Sequence, residues 1–557
     1  MMATIIVLGV FLIYPVILVL IMSFNVAGRF FVDTPQWGLG NWAVASDNPL
    51  LIRSVLNSFI LWFLVAATSF PIGIVIALLL SRTKIPFSHG LEYMFWVAYM
   101  FPSLSSTIGW IMLLDPDVGF LNRALQSLPF VQEAPFNIYS LPGLVWAKLM
   151  ADGIAFKVML FTPAFRNMDA ALEEAARISG ASKIGTMLRI TLPVMIAPIV
   201  LILALQLIKV FQGFETEQLI GTPFGFYVYS TMIYKLVKQP LPAYGEAIVL
   251  GSITLLVILT IIPIQRWIIG RRLYTTVSGT FRPGLIDLGR WNYVNFLLVI
   301  LVLLLLIVLP IVFLLIGSFM SRSGFFETTP LWTLKHWQFV LGDPAILQAL
   351  RTTVFLAVIA GILSPLLFSI VAYMLVRTRL RGRIVLDSII WGSAAIPGVL
   401  AGLGLLVMFL GTPGLRALYG TIWPLLIVVV LSGNTTGVNI FKGVLVQLGN
   451  DMEESARVSG AGWLRTYTTV VLPILMPTMV LIGVLNFVSA AGATGSVILL
   501  ATRRTQTLSI IALQLASSDV AKYEAAGVIS LIIMAMTLGV AFVARRQSLR
   551  MGVRHQA

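Results

Sequence analysis

The longest apolar runs constrain this chain more than any other feature. Residues 4–24 and 296–319 contain no charged side chain, and each is long enough to cross about 30 Å of hydrocarbon as a helix of about 20 residues. Ten further runs of similar character bring the expected spans to twelve: 4–24, 57–80, 93–114, 142–162, 194–212 and 246–265, then 294–317, 354–376, 386–410, 420–441, 474–492 and 523–543. The chain therefore reads as an all-α polytopic membrane protein. Its composition agrees, with 59% hydrophobic and 11% charged residues, less than half the charge of a usual globular domain. The first run exceeds the usual h-region of a signal peptide and has no basic residue before it, so it is kept as a span.

A net charge of +15 would suggest nucleic acid in a soluble protein. Here the basic residues follow the spans. If the N-terminus is cytoplasmic, the segments on that side hold 22 of the 37 Lys and Arg residues, as the positive-inside rule requires. Both termini are thus expected on the cytoplasmic side of the membrane. The sequence has no cysteine and only three histidines, which leaves no thiolate site, no clustered metal cage and no obvious acid/base constellation. Neither an enzyme nor a resident cofactor is expected.

The chain repeats itself. Pro15, Ser23, Phe24, Trp37, Trp42, Arg82 and Thr83 return 295 residues later as Pro310, Ser318, Phe319, Trp332, Trp337, Arg377 and Thr378; Glu173, Glu174, Gly180, Leu192 and Pro193 return 280 residues later as Glu453, Glu454, Gly460, Leu472 and Pro473. The fifteen-residue change in offset is expected in the loop around 115–140, whose counterpart is short. Six spans per unit is an even number, so the two repeats enter the membrane from the same side and are related by an axis along its normal. The expected organisation is a first repeat, 1–265, a linker, 266–293, and a second repeat, 294–557.

The segment after each fourth span carries the most specific pattern. The first copy, within 167–193, reads Glu174-Ala175-Ala176, three residues, Gly180, nine residues, Ile190, one residue, Leu192-Pro193. The second, within 447–473, reads Glu454-Ser455-Ala456, three residues, Gly460, nine residues, Val470, one residue, Leu472-Pro473. Asp169 or Asn450 can cap a short helix whose first turn holds two carboxylates, favourable against the helix dipole. The glycine then permits a bend, and the proline is tolerated near the start of the next span. A helix, bend, helix element suited to a partner is expected at both places.

These two loops resemble the "EAA" loop of the inner-membrane permeases of ATP-binding-cassette importers, departing from it only at Ser455 and Val470, and the two six-span repeats extend the resemblance over almost the whole chain. The resemblance implies a type I importer permease with both halves in one chain, paired with two ATPase subunits and one extracytoplasmic solute-binding protein. Glu173, Glu174, Ala175, Ala176, Gly180, Leu192 and Pro193, with Glu453, Glu454, Ala456, Gly460, Leu472 and Pro473, would then form loops that seat in the ATPases, the glutamates facing basic residues there. The chain has no Gly-Lys dipeptide and so no Walker A loop of its own. Fused permeases of this size are similar to those for iron(III), and also to those for thiamine, phosphonates and polyamines. The stretch from Phe214 to Pro223 is similar to that of iron(III) permeases, with Glu215 and Glu217 as possible oxygen ligands or as solvated groups of a loop facing the binding protein.

Ionisable residues within spans are functional candidates by default. Lys148 and Asp152 stand four apart and can pair on one helical face; together with Asn486 they are the expected pathway residues. Lys157 and Lys209 are expected to snorkel, and Pro102 and Pro397 to kink the third span of each repeat. An ion-driven secondary transporter of six plus six spans is the alternative of another class, and it leaves the two EAA-type loops without a role.

Overall fold

A computed structural model describes residues 2–28, 30–168, 174–176, 178–270, 285–378, 381–393, 396–449, 451–518 and 520–554. The main helices of the first repeat are α1 (Met2–Met22), α2 (Pro49–Arg82), α3 (Ser88–Tyr99), α4 (Ser103–Leu114), α5 (141–166), α6 (Ile196–Gln212), α7 (Glu217–Phe224), α8 (Tyr229–Lys238) and α9 (Tyr244–Gly270). Those of the second are α10 (Trp291–Phe319), α11 (Pro344–Arg377), α12 (Arg383–Ser393), α13 (Gly398–Gly411), α14 (Trp423–Leu431), α15 (Asn434–Gln447), α16 (Asp451–Val458), α17 (Trp463–Ala491), α18 (Leu508–Ser517) and α19 (Tyr523–Arg554).

Helices dominate because a backbone crossing lipid must satisfy its polar groups internally. The ends of α2 and α11 show how the sequence places them. Pro49 and Pro344 open the two helices, where a missing N–H costs least. Asn48 accepts a hydrogen bond from the Leu50 amide (3.1 Å) and Asp343 accepts one from Ala345 (2.7 Å), each a side-chain cap. Arg82 and Arg377 close them at the negative end of the dipole.

All twelve expected spans fall on helix, but not all are straight. Among the described residues, six helices are long and apolar enough to cross unaided. The two third spans are broken rather than kinked: α3 and α4 meet at 92°, α12 and α13 at 113°, with Pro102 and Pro397 as the extended residues opening the second piece. An extended proline disfavours the helical conformation of its predecessor, so the axis turns instead of bending. The fifth span of the first repeat bends 59° into α7, and the fourth of the second bends 41° between α14 and α15.

The repeats interlock. In each, the Trp indole donates to a serine hydroxyl nineteen residues earlier, Trp42 to Ser23 and Trp337 to Ser318, both at 3.2 Å. The first helix of each repeat then packs on the third span of the other: α1 against α13, and α10 against α4. Close backbone approach makes these crossings possible. A Cβ on Gly404 would stand 3.1 Å from Pro15, and one on Gly109 would stand 2.8 Å from Pro310.

The extra residues of the first repeat, 115–140, cover a helix at Phe120–Gln126 and tie the repeats together at one end. The Tyr139 hydroxyl donates to Asp115 (2.9 Å) and meets the Tyr523 hydroxyl at 2.8 Å. Burial raises the Tyr139 phenol above its ordinary range, so it stays protonated and able to donate. At the other end the linker returns as residues 285–290, where the Ile286 amide donates to Arg82 O (2.8 Å) and Lys84 pairs with Asp287 at 3.3 Å.

Candidate functional site

Two regions of chemistry stand out: the loops after the fourth spans, and a cluster of charges inside the first repeat.

In the second repeat the loop is complete. Helix α16 ends at Gly460, in the left-handed region at φ +83°; the Gly460 amide donates to Arg457 O (2.9 Å) and the Ala461 amide to Ala456 O (3.0 Å). This is the Schellman arrangement. The first repeat matches it, with Gly180 at φ +85° and the Ala181 amide on Ala176 O at 3.0 Å. A side chain at either glycine would be strained. Glu173 and the expected caps Asp169 and Asn450 lie outside the described residues. Glu174, Ala175 and Glu454 are exposed, and Ala456 is half-buried. An open groove of about 450 Å³ runs beside α16, between Met452, Ser455, Ser459 and Val470.

Glu453 departs from expectation. It turns inward and is 8% exposed, 3.0 Å from Arg377 Nε and accepting from the Tyr373 hydroxyl at 2.8 Å. A carboxylate on the first turn of α16 can reach α11 from this side, so it anchors the loop instead of facing a partner. Arg377 also donates to Leu448 O (2.6 Å), and Arg82 makes the equivalent bond to Met168 O (2.5 Å). These arginines hold the root of each loop to the end of α2 or α11. Their recurrence at one offset was the available signal; a basic residue at a helix end has an ordinary explanation, which hid it.

Leu472 and Pro473 do not begin a span. They lie inside α17, directly after a π turn at Tyr467–Val471, and Leu192 and Pro193 follow the equivalent turn at Met187–Thr191. The wider turn accommodates the bond that proline removes. In the second repeat the loop is thus continuous with the fifth span, so a push on it is a push on that helix; in the first repeat a turn at Met195 stands between Pro193 and α6.

The charge cluster lies between α2, α5, α6 and α7. Lys148 and Asp152 do not pair with each other. A π turn at Leu149–Gly153 separates them, and each finds a partner elsewhere: Lys148 Nζ stands 3.0 Å from Glu217 Oε1, and Lys209 Nζ stands 2.8 Å from Asp152 Oδ2. Lys209 therefore does not snorkel. Lys157 does not either, being 1% exposed, with its Nζ 5.6 Å and 5.5 Å from the ring centres of Phe70 and Phe156. Glu217 is buried in α7, and Glu215 is half-buried with Oε1 accepting from the Gly495 amide of the other repeat at 3.4 Å. Neither is the solvated loop residue expected. Asn486 is spent within its own helix, donating to Ile482 O at 3.0 Å. Gln206, its equivalent in the first repeat, is buried among the charges and was missed, because a lone glutamine in an apolar run carries no pattern.

The fold has two homologous halves, and so do the matches. Residues 69–274 and 366–552 match the family described as binding-protein-dependent transport system inner membrane component. The chain belongs to that family. As such a permease it resembles the ferric transport system permease protein of Actinobacillus pleuropneumoniae, 24% identical over 517 residues, 89% of this chain and 70% of that protein. It also resembles the sulfate transport system permease protein of Salmonella typhimurium, 28% identical over 233 residues, 40% of this chain and 82% of that protein. A solved bacterial transporter that imports the acidic polysaccharide alginate is 21% identical with a TM-score of 0.42, over 48% of this permease and 93% of that chain. The protein is a multi-pass membrane permease of the ATP-binding-cassette importer class, not an enzyme.

Proposed function

We propose that this permease forms the pathway of an iron(III) importer, with its two loops seated in two cytoplasmic ATPase subunits and one solute-binding protein on the opposite face. Both termini are then cytoplasmic and the membrane is the bacterial inner membrane. Residues 1–265 and 294–557 act as the two moving halves, joined by 266–293. The observation that carries this is the matched pair of loops: same glycine-ended turn, same arginine root, same π turn before the Leu-Pro pair, and an exposed glutamate, Glu174 or Glu454, on each. Closing two ATPases on such loops would draw the fifth spans together, which is what alternating access between parallel repeats needs. Iron is supported by the ferric permease that matches along most of this chain; thiamine, phosphonate and polyamine systems remain the alternative cargoes.

Changing Glu174 and Glu454 together to Lys tests the coupling. Uptake of radioactive iron by cells carrying the binding protein and ATPase should fall at least a hundredfold while the permease stays in the membrane at its normal level. Uptake that persists in the variant, or that an uncoupler abolishes while ATPase loss does not, would point to an ion-driven carrier instead.

A further inference from the structure

Inside the first repeat, among the described residues, the Lys157 ammonium has no carboxylate within ion-pair distance and the Gln206 amide has no hydrogen bond. Lys148 with Glu217 and Lys209 with Asp152 form two pairs. The sixth charge, Glu215, reaches away to the Gly495 amide. Lys157 is left facing two aromatic rings and, among the described residues, no carboxylate within an ion-pair distance. Beside it Gln206 is 1% exposed, and both its Nε2 and Oε1 lack a hydrogen-bond partner. Lys148, Asp152, Lys157, Gln206 and Lys209 line one small cavity, of about 10 Å³, room for roughly one water. A buried lysine without a carboxylate and a buried amide without a hydrogen bond are each costly in a packed interior. A charge kept inside a span at such cost marks a pathway or ligand site by default.

The second repeat keeps an amide at the position of Gln206, Asn486, but lacks every charge of this cluster. The residues equivalent to Lys148, Asp152, Lys157, Lys209 and Glu217 are Val428, Ser432, Gly437, Ser489 and Val497, so the cluster is not needed for the fold. The seam beside it is also closed differently. A Cβ on Gly483 would stand 2.6 Å from Gly361 O, which brings α17 and α11 into backbone contact. The equivalent positions of the first repeat are Leu203 and Ala66, and their side chains keep α6 and α2 from so close an approach.

We infer that this cavity is the closed form of a site for an oxyanion group of the cargo, a carboxylate, sulfate or phosphate, held by Lys157 and the Gln206 amide when α6 moves away from α2. Lysine supplies the charge and glutamine an N–H donor, a donor set that suits oxygen anions and not a bare metal cation. Among the described residues no three His, Asp or Glu side chains converge as a cation cage either. Iron(III) would then cross only as a complex whose oxyanion ligand this site recognises. The inference rests on the chain being the translocation pathway, yet its test needs no ATPase.

The test is direct binding to the purified full-length permease in lipid nanodiscs, titrated with sulfate, phosphate and citrate at constant ionic strength and read by thermal midpoint and intrinsic fluorescence. At least one of the three should bind saturably. Lys157→Met and Gln206→Leu should each weaken it at least tenfold, while Lys157→Arg keeps affinity within about threefold. Should Lys157→Met fail to fold, Gln206→Glu decides, because a carboxylate there should repel the anion. Absence of saturable binding for all three probes, or binding unchanged in the variants, overturns the inference. Loss of coupling in the Glu174 and Glu454 variant would leave this result untouched, and a failure here would leave the importer standing.

Discussion

The seam between the second, fourth and fifth spans exists twice in this molecule and is filled in opposite ways. In the first repeat Gly73 on α2 makes room for Lys157 on α5, and a Cβ on that glycine would stand 2.4 Å from the lysine Cβ. In the second repeat the large and small partners are exchanged: Phe368 on α11 fills the space left by Gly437 on α15, whose Cβ would stand 2.4 Å from the ring. The backbone path is conserved while the content changes from a buried cation to a buried ring. One fold therefore supports an apolar, closely packed half and a charged, looser half, and the asymmetry lies in side chains rather than in helix order.

The largest expected effect comes from forcing one half to copy the other incompletely. Gly73→Phe alone drives a ring into Lys157 and should cost about 3 kcal/mol or more, since overpacking strains a core that cannot yield. Most of the protein should be lost from the monodisperse peak on size exclusion. Adding Lys157→Gly recreates the arrangement of the second repeat and should restore the thermal midpoint while removing oxyanion binding. A double variant as unstable as the single one would mean that the exchange is not the reason the two seams differ. Gly437→Lys is the mirror experiment and should fail in the same way until Phe368→Gly accompanies it.

Next in size is the pair between Lys209 and Asp152. Removing only the lysine, as Lys209→Met, leaves a carboxylate without its partner; for side chains about a quarter exposed the expected loss is about 2 kcal/mol, below the cost for a fully buried pair. Asp152→Leu with Lys209→Met should recover most of it, because an apolar pair can replace an ion pair in such a site. The same substitution at the equivalent Ser489 of the second repeat should shift the midpoint far less. Equal shifts in both halves would show that the charges do no more for stability than the packing around them.

How far the sequence could lead depends on what kind of information each feature needs. The span expected at 57–80 was legible because apolar composition acts locally, although the helix itself runs further, Pro49–Arg82. The repeat at Ser23, Phe24 and Trp42 was legible because two contacts, indole to hydroxyl and ring on ring, survive as three letters. The turn at Pro102 was not, since apolar content says nothing about the direction of an axis and a proline permits a kink or a break. The partners of Lys148 and Asp152 were hidden for a different reason. Spacing of four assumes an uninterrupted α-helix, and the π turn at Leu149–Gly153, together with acid and base supplied by α7 and α6, redirects both side chains. The resemblance implied that Glu453 faces a partner, and the inward turn was not legible in it: its neighbour Glu454 is exposed, but one residue along a helix is a turn of 100° and reaches Arg377.

A third comparison concerns how firmly each loop is held. Tyr373 donates to Glu453, whereas the equivalent residue in the first repeat is Leu78. Tyr373→Phe should weaken the anchorage of α16 by about 1.5 kcal/mol, the scale for a hydrogen bond to a charged acceptor. Hydrogen exchange of the 452–460 amides should then accelerate roughly tenfold, toward the rate of the first loop. Unchanged exchange would indicate that Arg377 alone fixes the loop.

The smallest effect expected is a pH response at the linker, and it too separates the halves. The end of α2 is clasped by residues 286 and 287, and the Asp287 carboxylate is held below its ordinary range by the Gly289 amide, then by Lys84 and Asn292. A group whose folded value is lowered adds stability above its unfolded value and loses it as pH falls through the folded one. The clasp should therefore be complete above about pH 5 and loosen only in more acidic solution. Amide exchange at 286–290, corrected for intrinsic rates, should rise as pH is lowered below about 4, and Asp287→Asn should remove that dependence. Salt should weaken the Lys84 contribution, since the pair is exposed and screened, but leave the Gly289 bond in place. A pH response that survives Asp287→Asn would assign it to another carboxylate and free the linker from any part in holding α2.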